Sequence, residues 1–228
     1  MTSSPPARTA TVPAPAPAPA FSGDFEAHIT VPAGDAPLAE RYAAACGAKF
    51  THILLDRGRT PSQPMVTLRS SGPLPDVREA VDGVVRGLQD AGAEVVRVKV
   101  EAVPWALGVP ESDEAAAALG ESYYFEHHLK LLLPPGADLT ALARLASAHT
   151  AHLSRNARRV RADGRAERFV TQRCRAVGRR TAGVRLDALV AAVEDGGHDI
   201  ISAEREFVVH DSDGSLDAGW ITEQGRDA

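Results

Sequence analysis

The stretch FEAHITV, Phe25–Val31, returns a hundred residues later as FEHHLKL, Phe125–Leu131. In both copies apolar and polar residues alternate, the period of a β-strand with one face packed and the other open. Phe25, Ala27, Ile29 and Val31 share one face, leaving Glu26, His28 and Thr30 on the other. In the second copy the open face carries Glu126, His128 and Lys130, and His127 turns to the packed side.

The repetition continues outward from this strand. The first copy runs on through a helical APLAERYAAACGAKF, a strand THILLD, a loop RGRTPSQP and a strand MVTLRS. An amphipathic helix LPDVREAVDGVVRGLQDAGA comes next, with Val77, Val81, Val84 and Leu88 on one face and Gly92 as its stop. EVVRVKVEAV closes the unit as a strand. The second copy has the same order: FEHHLKLLL, ADLTALARLASA, AHLS, an arginine-rich loop, FVTQRCRA, RLDALVAAVEDGG and DIISAEREFVV. Overlaid, His52 meets His152 and Arg59 meets Arg159. After four extra loop residues Val66, Thr67 and Arg69 meet Val170, Thr171 and Arg173; then Gly92 meets Gly197 and Glu101 meets Glu206.

The order βαββαβ is that of the ferredoxin-like split unit, whose helices cover one sheet face and leave the other bare. The expected fold is α+β: two tandem ferredoxin-like repeats, residues 21–106 and 123–210, with pseudo-twofold symmetry and sheets facing each other across a cleft. Residues 107–122 form the connection, 1–20 a Pro/Ala-rich disordered tail and 211–228 a C-terminal tail. In HDSDGSLDAGW (His210–Trp220) the acids lack EF-hand spacing, so the stretch reads as a turn leading to a docked tail, with Trp220 and Ile221 as its anchor.

Composition excludes several classes. A net charge of −5 provides no basic field for duplex DNA, although Arg155–Arg168 could locally hold phosphate or simply form a solvated turn. Cys46 and Cys174 are too few for a disulfide framework or a thiolate metal site. No apolar run reaches the roughly 18 residues a membrane helix needs. The N-terminus lacks the apolar core of a secretory signal, so the expected location is cytoplasmic.

The open faces are unlike a packing surface. Strand alternation places Glu26, His28, Thr30, Thr67, Arg69, Arg97, Lys99 and Glu101 there in the first repeat. The second contributes Glu126, His128, Lys130, Thr171, Arg173, Glu204 and Glu206, with His52 and His152 on strands expected at the sheet edges. Such crowded charges pair with each other or bind a ligand. Two imidazoles across a cleft suit acid–base chemistry, and Arg and Thr beside them suit phosphate oxygens.

With a His from each half of a duplicated α/β module and the tripeptide HIT (His28, Thr30), the chain resembles the 2H phosphoesterase group. Its second repeat departs from that group's pattern in reading HLK (His128, Lys130). The resemblance implies a hydrolase acting on a phosphodiester of RNA or a nucleotide without a cofactor. His28 and His128 would be the acid–base pair and Glu26 and Glu126 would orient them. Thr30, Thr67, Thr171, Lys130, Arg69 and Arg173 would hold the phosphate. Two alternatives rest on the same residues. One is a mononuclear divalent-metal site on Glu26, His28, Glu126 and His128. The other is a non-enzymatic receptor for a small anionic molecule, with Arg69, Arg97, Lys99, Lys130 and Arg173 as binders.

Overall fold

The computed structural model describes residues 19–157 and 162–221. The stretch 1–18, residues 158–161 (with Arg159) and residues 222–228 lie outside these. The described elements run β1 (Ser22–Thr30), α1 (Ala36–Cys46), β2 (Lys49–Leu55), β3 (Ser62–Pro73), α2 (Leu74–Asp90) and β4 (Arg97–Ala102). After a link carrying α3 (Asp113–Leu119) come β5 (Tyr124–Leu133), α4 (Leu139–Ala148), β6 (Ala151–Asn156), β7 (Ala166–Arg175), α5 (Arg179–Asp195) and β8 (Asp199–Asp211).

Local chemistry sets the helices. Pro75 stands in the first turn of α2, where its missing N–H costs nothing. Leu74, Val77, Val81 and Leu88 then form one buried stripe. Asp138 caps α4 by accepting from the backbone N–H groups of Thr140 and Ala141, both at 2.9 Å. Helix α5 begins six residues before the expected Arg185, because Gly178 lets its N-terminus press against the chain at Glu111–Ser112. A Cβ there would meet backbone atoms at 2.4–2.6 Å. The short α3 escapes the sequence reading, its DEAAAAL lying in a segment that reads as an acidic connection. Ser112 caps it.

The strands make an α+β fold with an antiparallel sheet, and here the expectation of facing sheets is corrected. β1 lies between β3 and β4, with His28 opposite Thr67 on one side and Lys99 on the other. β5 lies between β7 and β8, with His128 opposite Thr171 and Glu204. The outer strands then find one another. β2 pairs with β6 over Ile53–Leu55, and β4 pairs with β8 across a bulge at Val100/Glu101. The eight strands close into a barrel in the order β1-β3-β2-β6-β7-β5-β8-β4. A four-stranded sheet has two open edges of unpaired backbone groups, and joining the edges pairs them over part of their length. His52 and His152 therefore sit on strands at an internal seam rather than at an exposed edge.

The apolar core lies outside the ring, between strands and helices. One cluster joins Ala27, Ile29 and Val66 to Val77, Val81 and Leu88. Another joins Leu129, Leu131 and Val170 to Leu142, Leu186, Leu189 and Val193. Each such side chain stabilises the fold by roughly 1.5–3 kcal/mol. His127 turns outward as expected, buried and bonded to Gln172 at 3.1 Å. The helices being outside, the polar face of every strand becomes the barrel interior.

Candidate functional site: a charged barrel interior

Two equivalent arrangements meet inside the barrel. In one, the His28 ring contacts Thr67 Oγ1 through Nδ1 at 3.0 Å, and Glu101 through Nε2 at 3.0 Å. Glu26 lies 3.8 Å away and holds Arg69 at 2.7 Å. In the other, His128 contacts Thr171 Oγ1 at 2.9 Å, and Glu126 and Glu206 at 3.3 and 3.2 Å, while Arg173 donates to Glu126. They differ in exposure: the Arg69 side chain is 80% exposed and that of Arg173 only 7%.

Lys99 ties the two together. Its ammonium lies 2.7 Å from Glu101 and 2.6 Å from Glu126. A continuous chain thus crosses the interior: Thr67, His28, Glu101, Lys99, Glu126, His128, Thr171. The Glu101 carboxylate is buried, with Lys99 at 2.7 Å and His28 at 3.0 Å.

These pairings set the charges. Burial pushes the Glu101 carboxyl up, but Lys99 and His28 outweigh it and hold the pKa at about 2. Burial likewise opposes ionisation of Glu126, yet Arg173, Lys99 and His128 keep it well below the usual carboxylate range. Burial disfavours charge on His128, but Glu126 and Glu206 raise it to about 10, so the ring is an imidazolium at neutral pH. Glu206 moves the other way, pushed up by burial and by the Glu101 carboxylate.

The C-terminal segment plugs this interior, docked through Trp220 as expected, while the insertion of Asp217 is missed by the sequence reading. Asp217 ends a 3-10 turn (Gly214–Asp217) and is buried. Its carboxylate receives Gln63 Nε2 at 2.9 Å, Arg97 Nη1 at 3.0 Å and Arg173 Nη2 at 2.5 Å. Arg97 also binds Asp211 bidentately at 2.8 and 2.7 Å, and Tyr124 donates to the same carboxylate. Trp220, 5% exposed, donates from Nε1 to the Leu153 carbonyl at 2.8 Å. Apolar Trp220 and Ile221 after a turn are the available signal for docking, but nothing in DSDGSLD marks Asp217 as the inserted acid.

A cavity of about 550 Å³ remains beside this network. Of the expected site residues, Glu26, His28, Thr30, His52, Arg97, Lys99, Glu126, His128, Lys130, Thr171, Arg173, Glu204 and Glu206 line it. Thr67 and Glu101 stand behind the histidines, Arg69 points to solvent, and His152 is buried deeper. Lys130 pairs with Glu167 at 2.9 Å. Unforeseen apolar residues also line it, Phe50, Ile53, Leu55, Met65, Phe169 and Trp220, together with polar Lys49, Thr51, Gln63, Ser154 and Asn156.

The metal alternative changes its residues. Among the described residues, the donors that cluster are Glu101, Glu126 and His128, with ligand atoms within 4.8 Å of one another, rather than the two Glu/His pairs. The Lys99 ammonium already sits between the two carboxylates, so an incoming cation would have to displace it.

No family model and no curated protein matches the chain. Solved structures with a related course are the acetolactate synthase small subunit of Thermotoga maritima, at 13% identity, covering 81% of this chain and 94% of that one, TM-score 0.30. A chlorite dismutase from Candidatus Nitrospira defluvii matches at 13% over 86% and 93%, TM-score 0.26. A heme-binding protein from Thermus thermophilus matches at 14% over 86% and 95%, TM-score 0.27. None of the three is a phosphoesterase by name.

The expectation of a phosphodiesterase is corrected on geometry. The threonines meant for phosphate, Thr67 and Thr171, are engaged by His28 and His128. Arg69, Arg173, Lys99 and Lys130 are each held by a carboxylate. His128 is charged and locked between two acids, so it has no free base form near neutral pH. An acid–base pair around an open phosphate pocket is not what these residues build.

Proposed function

We propose that the barrel is a receptor for a small organic molecule with an apolar body and one acidic group. The observation that carries this reading is a cavity whose lining joins apolar Phe50, Ile53, Phe169 and Trp220 to charged Arg97, Arg173 and His128. Its volume of about 550 Å³ falls within the roughly 300–1,000 Å³ typical of small-molecule sites. An acidic group is favoured because the cationic side chains of Arg97, Arg173 and His128 line the cavity. The matching Thr–His–Glu contacts in the two halves support an origin by internal duplication, each half supplying one side of the receptor. No described helix is long and apolar enough to cross a membrane. The exposed free thiol of Cys46 fits a cytoplasmic setting.

Two dyes test the proposal: anilinonaphthalene sulfonate, an aromatic body with one acid, and its uncharged analogue N-phenyl-1-naphthylamine. The sulfonate should bind one per chain and at least tenfold more tightly, and Ile53→Trp, which fills the cavity, should abolish binding. Equal affinity for both dyes, or binding unchanged by Ile53→Trp, would refute it.

A further inference from the structure

The structure assigns Arg97, Arg173 and Gln63 as a buried anion subsite, for a ligand carboxylate, that the protein's own Asp217 occupies and can vacate. The inference rests on the receptor reading above and names where its acidic group would go. Three observations lead to it.

First, the donors come from the barrel and the acceptor does not. Gln63 is on β3, Arg97 on β4 and Arg173 on β7, whereas Asp217 comes from the turn after β8. Second, the remaining partners of the two arginines are independent of Asp217. Arg97 keeps Asp211 and Arg173 keeps Glu126, so the barrel retains its internal pairing when the turn withdraws. What withdrawal leaves is a preformed fork of guanidinium and amide donors with no acceptor, the arrangement that recognises a carboxylate.

Third, the surroundings hold further donors. Arg57 donates to His152 Nδ1 at 2.9 Å and to the Trp220 carbonyl at 3.3 Å. An accepting Nδ1 places the His152 proton on Nε2. That N–H is buried, with His152 3% exposed, and has no hydrogen-bond partner among the described residues. Burial, Arg57 and Arg173 hold His152 at a pKa of about 4, so the ring is neutral. An orphaned buried donor costs free energy. The docked turn is held by Arg57 and by the Arg59 N–H, which donates to the Ala218 carbonyl at 2.9 Å; both come from the loop between β2 and β3. Release of the turn also breaks the Trp220 Nε1 bond to the Leu153 carbonyl and the three bonds to Asp217.

Asp217→Ala removes the internal carboxylate and leaves space for acetate. At fixed ionic strength and pH 7.5, added acetate should raise the melting temperature of this variant saturably, with at least tenfold tighter binding than in the wild type. Adding Arg97→Gln should erase the effect. If Asp217→Ala does not fold, the benzoate measurement on the Asp217-containing protein decides alone. In the wild type with Trp105→Phe, Trp220 is the remaining tryptophan, and saturating benzoate should increase its quenching by acrylamide. A folded variant insensitive to acetate would overturn the inference, and so would benzoate bound calorimetrically with Trp220 still shielded. Acetate rescue without any binding of the sulfonate dye would leave the subsite standing and sink the receptor reading instead.

Discussion

Replacing Lys99 by methionine removes the one cation shared by both halves of the network while keeping most of its volume. The ammonium sits 2.7 Å from Glu101 and 2.6 Å from Glu126, and all three side chains are buried. The depression of Glu101 from 4.5 to about 2 is worth about 3 kcal/mol at about 1.4 kcal/mol per pK unit. That agrees with the roughly 3–5 kcal/mol lost when one member of a buried pair is deleted. The pH dependence follows from the sign. A depressed carboxyl gives stability that is fully present above pH 4.5 and is lost as pH falls through about 2. In the variant only His28 still opposes burial at Glu101, so the carboxyl takes up a proton at higher pH than in the wild type and the penalty shrinks on acidification. Urea unfolding should therefore show a gap of about 3–5 kcal/mol at pH 7.5 and less than half of that at pH 4. A gap below about 1 kcal/mol at pH 7.5, the median worth of a surface pair, or one unchanged at pH 4, would refute the account of the interior as an interdependent ion network.

Other residues give shorter tests. His128, raised to about 10, contributes stability that is complete below pH 6.5 and is lost as pH rises through about 10. Unfolding free energies of the wild type should fall over that window, and His128→Gln should flatten the slope. NMR should show its ring protons without a titration step between pH 5 and 8. Gly58 has a φ of +111° and its Cβ would lie 3.0 Å from the Trp220 backbone nitrogen. Gly58→Ala should cost about 1–3 kcal/mol and shift Trp220 emission to the red by loosening the plug; unchanged emission would contradict its role in seating the segment.

Much of this architecture is legible because a strand states its facing in every second residue. Alternation assigns Glu26, His28, Lys99, Glu126 and His128 to one side, and that side is the barrel interior. Element order is legible for the same reason, and the correspondence of Glu101 with Glu206 leads to equivalent contacts on the two histidines. Closure is not legible. Whether four-stranded sheets stack or join depends on edge pairings such as Val100 with His210, between residues over a hundred apart, and no local pattern encodes them. Lys130 shows a subtler limit: it faces inward as expected, but its partner Glu167 comes from a strand that starts earlier than the pattern FVTQRCRA indicates. Asp217 is hidden by its neighbours, since Asp-Ser-Asp-Gly announces a turn and says nothing of where the next carboxylate goes.

The two seams have a consequence for the chain as a polymer. Each half alone would present β2 and β4, or β6 and β8, as bare edges, the templates on which strands of other molecules add. In the intact chain each edge meets its counterpart, β2 with β6 over three residue pairs and β4 with β8 over four, and the tether that keeps the halves together is the link between β4 and β5. A cut near α3 should leave a nicked molecule still held by its seams. The separated fragments, by contrast, would each seek a mate, and fragments of the same kind would offer one another edges of nearly the right shape. Covalent continuity here acts as a matchmaker: it raises the local concentration of the correct partner above that of every look-alike.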